Sequence, residues 1–505
     1  MALRGSQAVP LGGENRATRR ERRTISVDVV EPTSRTVAEH LDRVLAMVAP
    51  LPARETALAD VVDGGQPGPA VAAEEVRAAH AVPAFDHAAM DGYAVRSGDL
   101  PADSEPVTLH VVADIPAAPN EPRALAPGTA ARIMTGAPLP PGADAVVPVE
   151  RTSTGRFDPA AGSRRSAALP RDPGRTAGTV TLGRQARDHI RRRGADMTAG
   201  SVLARAGDEL TAPVVAGLAA AGVSHVRVRR RPRVAVVATG SELAPAGSPT
   251  RPGQITDSNS LMLAAAVRAA GAEVVRLGPV PDDPAALRAV LDRAVGEAAN
   301  PLRAGDPTTD AVTTADPARR GGDAAPSRSR GIDLVVTAGG VSAGAADVVR
   351  AVLSPRLPGA APDGAASGPE SGRPGAVSDV DVAAVGMKPG RPQALARWRG
   401  VPWIAVPGTP VAAYVSFAMF VRPAIERLRG LPGPGRAPES RPAAVGWSSP
   451  RGREQVVPVR VLPHGVEPTG DGHHLSALLA ADALAVVPAD VEKVEPGDAV
   501  PVVPL

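Results

Sequence analysis

The chain has no cysteine, only two lysines and nine aromatic residues (three Trp, two Tyr, four Phe) in 505 positions. Without cysteine there is no disulfide, no thiolate metal site and no cysteine nucleophile. The lysines are Lys388 and Lys493, and the other 54 of 56 basic residues are arginines spread along the chain. That spread reads as a coding bias, not a nucleic-acid footprint, and the formal net charge is only +3. It makes the exceptions informative: a lysine or a tyrosine kept in such a composition marks a position that needs it. Long apolar runs are also missing. The longest uncharged run, 400–421, is broken by Pro402, Pro407, Gly408 and Pro410, leaving a helix too short for the roughly 20 residues that span a bilayer. The N-terminus is arginine-rich and has no apolar signal-like stretch. The sequence therefore predicts a soluble, cytoplasmic protein with neither nucleic-acid nor membrane partners.

Apolar residues make up 43% of the chain, enough for several cores, while 55 Pro and 52 Gly predict many turns. Residues 1–24, with Arg16, Arg19, Arg20, Arg22 and Arg23, read as a disordered basic tail. Val37, Leu41, Val44, Leu45 and Val48 recur at helical spacing until Pro50 and Pro52. Strand-like runs between Gly/Pro turns predict a small inserted β domain over 82–150, followed by a flexible insertion over 151–185. Short β runs return in a Pro/Gly-rich C-terminal domain, 431–505.

Between them, 233–430 repeats strand, loop, helix four times: VAVVA then TGSE; EVVRLGPV then PDD; LVVTA then GGVSAGAAD; WIAV then PGTP. Such alternation predicts a doubly wound α/β domain with a parallel sheet, interrupted by insertions at 297–331 and 354–378. Ligands of such sheets sit beyond the carboxyl ends of the strands, where these loops are glycine-rich, hydroxyl-bearing and acidic together. That combination fits a Mg²⁺-dependent site for a phosphate or pyrophosphate. In Ile332–Leu353, Gly339, Gly340, Ser342 and Gly344 form either an anion cradle or a plain βα turn. Asp347 there is a metal ligand or an acid favoured by the helix dipole. Ser258 or Asn259 caps the helix after GQITDSN, and Thr409 caps the helix that begins at Pro410. Lys388, in a Pro/Gly turn on the same sheet edge, is a phosphate partner. The arginines of IRRRGAD grip phosphate or form a solvated turn.

Eight stretches, in order, give the chain a specific resemblance: FDHAAMDGYAV, RIMTGAPLPPGADAVV, IRRRGADMTAG, VATGSEL, GQITDSN, VVTAGGVSAGAAD, MKPGRP and VPGTPV. Together they resemble the signature stretches of the molybdopterin molybdenumtransferases, the MoeA family, to which the gephyrin E domain is related. The resemblance implies a MoaB/MogA-like α/β domain, an extended N-terminal dimer domain from 25–81 and 186–232, and a C-terminal β-barrel-like domain. It implies a homodimer that takes adenylylated molybdopterin and molybdate and releases AMP with Mg²⁺. Contact with the molybdopterin adenylyltransferase is a further implication. Matched motif by motif, Asp91, Asp196, Glu242 and Asp347 correspond to acids tied to activity, with Glu242 and Asp347 the expected metal ligands. Asp257, Ser258, Gly339, Gly340, Ser342, Lys388, Pro407 and Pro410 fall in substrate-site stretches. The substrate site is expected between the α/β domain of one subunit and the β domain of the other. His87 and Ala88 stand where the family often has Asn-Ser. Ser241 replaces the Asp of Gly-Asp-Glu, Arg391 a second lysine, and Thr409 the Asn of Pro-Gly-Asn-Pro. These departures leave open a catalytically weakened paralogue that binds pterin as a scaffold. An adenylyltransferase, which uses a similar α/β domain, is disfavoured by the extra β domains.

Overall fold

The computed structural model describes residues 33–64, 68–103, 105–156, 178–296, 331–341, 347–354, 376–433, 439–470 and 472–505. The expected basic tail, residues 157–177 of the first expected insertion and most of the other two lie outside these residues, as does Ser342.

A seven-stranded sheet carries the site. Its strands are β1 (Thr33–Arg35), β2 (Arg233–Thr239), β3 (Glu273–Val280), β4 (Leu334–Ala338), β5 (Val377–Val385), β6 (Pro392–Trp398) and β7 (Val401–Val406). Their spatial order is β1-β5-β6-β7-β4-β2-β3. Strands β3, β2, β4 and β7 run parallel, as the four repeated units predict. The expectation of a wholly parallel sheet is corrected on the other side, where β6 pairs antiparallel with both β5 and β7. The cause is local: only Arg399 and Gly400 separate β6 from β7, a link that makes a hairpin and cannot make a crossover. Strand β5 also begins inside the expected third insertion.

Alternation along β2 sends Val234 and Val236 to one face and Ala235 and Val237 to the other. On the first face lie α1 (Val37–Ala46), α2 (Asn259–Ala269) and the helical stretch from Pro410 to Arg429. On the second lie α3 (Pro284–Gly296) and α4 (Val348–Leu353). Helices on both faces leave β2, β4 and β7 almost wholly buried, which is why these strands are apolar in unbroken runs. Helix α1 starts at a capping box in which Thr36 and Glu39 satisfy each other's backbone N–H groups.

Three pairings tie the remaining segments together. Ala53–Ala57 pairs with His225–Arg229, and Val76–Arg77 with Val202–Ala204, so 33–81 and 190–229 meet across the inserted β region. That region holds a five-stranded sheet whose outermost strand is Thr179–Leu182, paired with Val107–Ile115. The flexible insertion expected over 151–185 is therefore corrected at its end: Val180 and Leu182 are buried in the β core. In the C-terminal region, Met387–Lys388 pairs with Glu454–Gln455 and becomes the edge of the six-stranded sheet. The loop carrying Lys388 thus belongs to two sheets at once.

Candidate functional site

The parallel strands end at an open cleft of about 810 Å³. Strand β2 hands on to Gly240 and Glu242, β3 to Asp282, β4 to Gly339, Gly340 and Asp347, and β7 to Pro407, Gly408, Thr409 and Pro410. Strand β2 lies between β3 and β4, so chain connections leave it toward one side and return on the other, where doubly wound sheets bind ligands. Asp257, Ser258, Lys388 and Arg391 complete the wall. Every expected α/β-domain residue within the described residues lines this cleft.

The glycines serve close approach. A Cβ on Gly339 would stand 2.5 Å from the Thr239 carbonyl oxygen, and one on Gly408 would stand 3.2 Å from the Gly339 Cα. The ends of β2, β4 and β7 can meet only without those side chains. An anion cradle built on the Gly339 N–H is excluded, because that group donates to the Val406 carbonyl at 3.1 Å.

Asp347 occupies the N-cap position of α4 but makes no side-chain capping bond. Its Oδ2 is buried and has no hydrogen-bond partner among the described residues. A carboxylate oxygen held this way suits a cation. Glu242, across the cleft, is exposed. Among the described residues no three His, Asp or Glu side chains gather to hold a metal by themselves. Two carboxylates plus ligand phosphate oxygens is a usual Mg²⁺ arrangement, so the donor set fits an ion shared with a phosphate ligand.

Asp257, which lines the cleft, also has a structural task. It is 1% exposed, and its carboxylate accepts from the Ser260 N–H (3.0 Å) and hydroxyl (2.5 Å). The helix is capped by Asp257, whereas Ser258 makes no side-chain capping bond and Asn259 instead donates to the Gly408 carbonyl at 2.6 Å. Thr409 likewise makes no side-chain cap, although it occupies that position before Pro410.

Two cleft residues carried no local signal. Arg453 and His473 come from the C-terminal region, brought in by the pairing of Met387–Lys388 with Glu454–Gln455. Arg453 thus joins Lys388 and Arg391 as a cation of a cleft that also holds the acids Glu242, Asp257, Asp282 and Asp347.

Asp91 and Asp196 do not line the cleft. Both are exposed. Asp91 Oδ1 accepts from the Thr135 N–H and hydroxyl, each at 2.7 Å, and so fixes the TGAP loop. Nearby, Arg192 bridges Asp188 (2.8 Å) and Asp86 (3.2 Å), and the Arg193 N–H donates to Asp86. That N–H, with help from Arg192, holds the Asp86 carboxyl below the usual carboxylate range despite slight desolvation. Arg192 therefore braces its own loop, while Arg193 contributes only its backbone N–H. Ala88 is fully buried, its backbone paired with Ile190, so the hydroxyl absent there would not have faced a ligand.

Comparison with known proteins agrees with this layout. Residues 35–222 match the MoeA N-terminal region (domain I and II). Residues 235–300 and 309–427 match a probable molybdopterin binding domain, and 440–505 the MoeA C-terminal region (domain IV). The chain is 38% identical over 435 residues to molybdopterin molybdenumtransferase 2 of Mycobacterium tuberculosis, covering 84% of this chain and 89% of that protein. It is 34% identical over 354 residues to molybdopterin molybdenumtransferase of Nostoc, covering 69% and 64%. The crystal structure of the molybdopterin biosynthesis MoeA protein from Pyrococcus horikosii superposes with a TM-score of 0.66 at 25% identity, covering 93% of this chain and 98% of that one. Three family regions in order, a relative at 38% identity along most of the chain and a shared fold establish that it belongs to the MoeA family, as a transferase of molybdenum cofactor biosynthesis.

Proposed function

We propose that the cleft binds adenylylated molybdopterin and that the chain exchanges AMP for molybdenum delivered as molybdate, in a Mg²⁺-dependent reaction. One observation carries the reading: the buried, unpartnered Asp347 Oδ2 and exposed Glu242 line the same cleft as Lys388, Arg391 and Arg453. Mg²⁺, when bound, neutralises charge on a phosphoanhydride undergoing cleavage. Lys388, Arg391 and Arg453 hold the phosphate oxygens through charge-assisted bonds. Asp347, fixed at the start of α4, keeps its carboxylate directed into the site. Glu242 orients the attacking oxygen.

The protein acts as a homodimer in this reading, with Asp91 and Asp196 of one subunit serving the cleft of the other. Support comes from their exposed position away from their own cleft. Mixing Asp91→Asn with Asp347→Asn subunits should restore activity that neither variant has alone; no recovery would rule out a shared site. Burial of Ala88 removes one motive for a weakened scaffold protein.

The test is AMP release from adenylylated molybdopterin by purified protein with Mg²⁺, with and without molybdate. Release stimulated by molybdate and independent of ATP is expected. Tight binding without release would support the scaffold instead, and formation of adenylylated molybdopterin from ATP would mean an adenylyltransferase.

A further inference from the structure

Next to the turn that carries Lys388 and Arg391 lies a polar side chain that does not itself line the cleft. Gln393, the second residue of β6, is fully buried. Its Nε2 donates to the Gly390 carbonyl at 2.7 Å and to the Ser416 hydroxyl at 2.7 Å. Ser416, also fully buried, ends the α-helical turn that starts at Pro410. One amide therefore joins two cleft loops, the Lys388–Arg391 turn and the helix that follows Pro407–Pro410. Gly390, at φ +105°, leaves no room for a side chain: a Cβ there would come within 3.2 Å of both the Met387 Cε and the Ser416 Oγ.

A buried amide is an expensive choice at this place. Oε1 of Gln393 has no hydrogen-bond partner among the described residues, and an unsatisfied buried acceptor costs stability that an apolar residue of the same size would not. Both Nε2 hydrogens are nevertheless spent on fixing the turn that carries Lys388 and Arg391. The rest of the β6 side-chain set facing inward, from Ala394 to Ala396, is apolar. Stability does not explain the glutamine; the turn it holds does.

We propose that Gln393 is a positioning residue for the anion site: by anchoring the Gly390 carbonyl to Ser416 it sets Lys388 and Arg391 at the spacing a phosphate ester or anhydride needs. The inference rests on the phosphate-binding reading of the cleft. A turn released from this anchor keeps its charge but loses its preorganisation, which is what charge-assisted contacts depend on.

The experiment is a double-mutant cycle on AMP affinity, measured by calorimetry on the full chain in Mg²⁺ buffer. The proteins are wild type, Gln393→Leu, Lys388→Ala and the double variant, each with its melting curve. Gln393→Leu is expected to weaken AMP binding about tenfold, the scale of one charge-assisted bond. In the double variant the losses should fall short of their sum, because Gln393 acts partly through Lys388 and only its effect on Arg391 remains once that lysine is gone. Ser416→Ala, which removes one anchor from the helix side, should show a smaller loss of the same kind and guards against misfolding of the leucine variant. Wild-type affinity in both Gln393→Leu and Ser416→Ala, or losses that add in the double variant, would overturn the positioning role while leaving the cleft reading intact. Failure of the wild type itself to bind AMP would overturn the cleft reading, and this inference with it.

Discussion

Ser241 and Asp282 are joined by two reciprocal hydrogen bonds: the Ser241 N–H donates to the Asp282 carboxylate at 2.9 Å, and the Asp282 N–H donates to the Ser241 hydroxyl at 2.9 Å. The pair locks the loop after β2 to the loop after β3, next to Glu242 at the cleft. Serine at this position therefore has its own structural use. Ser241→Ala should lower stability by about 1 kcal/mol, the worth of one such bond. It should also slow AMP release by freeing the segment that carries Glu242. Thermal melts and initial rates on the same preparation check both, and an unchanged rate would show that this lock does not position Glu242.

Asp257 is expected to act on folding more than on chemistry. Both its oxygens are spent on Ser260 at the start of α2, so Asp257→Ala should cost about 1–2 kcal/mol, as removal of a helix cap does. Denaturant midpoints measure this directly. A variant of wild-type stability that has lost substrate affinity would place Asp257 on the ligand instead.

His40 predicts an acid response that the cleft does not share. It is fully buried in α1, stacked edge-on against Phe420 at 4.6 Å, and neither ring nitrogen has a hydrogen-bond partner among the described residues. Burial is the main cause that pushes its pKa down to about 4. The charges of Arg35 and Arg43 act the same way, and Asp381 opposes them. The folded state thus prefers neutral His40 while the unfolded chain takes up a proton near 6.5. Stability from this residue is present above about pH 6.5 and falls as the pH drops toward 4, by about 3 kcal/mol in all. Replacing His40 by Leu should flatten the melting temperature across that window. A wild-type slope retained across that window in His40→Leu would assign the acid lability elsewhere.

What could be read from the sequence follows the range of the interactions involved. Three of the four parallel strands announce themselves as short apolar runs buried on both faces, such as Val234–Ala238, whereas Glu273–Val280 is a partly exposed edge strand legible from its place in the repeat. The scarcity of lysine singled out Lys388 correctly as a cleft residue. Thr33–Arg35 and Thr179–Leu182 escaped because three or four residues carry no periodicity, and their pairing partners lie far along the chain. Arg453 and His473 were silent for the same reason: only the β pairing at Lys388 brings them to the cleft. Ser258 and Asn259 looked like caps of α2, but the buried carboxylate of Asp257, just before them, takes the Ser260 N–H instead. In the proposed shared site Asp91 would reach the cleft only from a second subunit, which no local pattern in one chain encodes.

Asp347 gives the most direct test of the whole account. Single-turnover AMP release from adenylylated molybdopterin, with Mg²⁺ and molybdate, should be compared between wild type and Asp347→Asn. The substitution keeps size and the N-cap position of α4, so both proteins should melt together and bind the substrate. The account predicts release by the wild type and loss of at least about a hundredfold in the variant, the scale of removing one charge-stabilising group from an active site. Equal release by both proteins would contradict it.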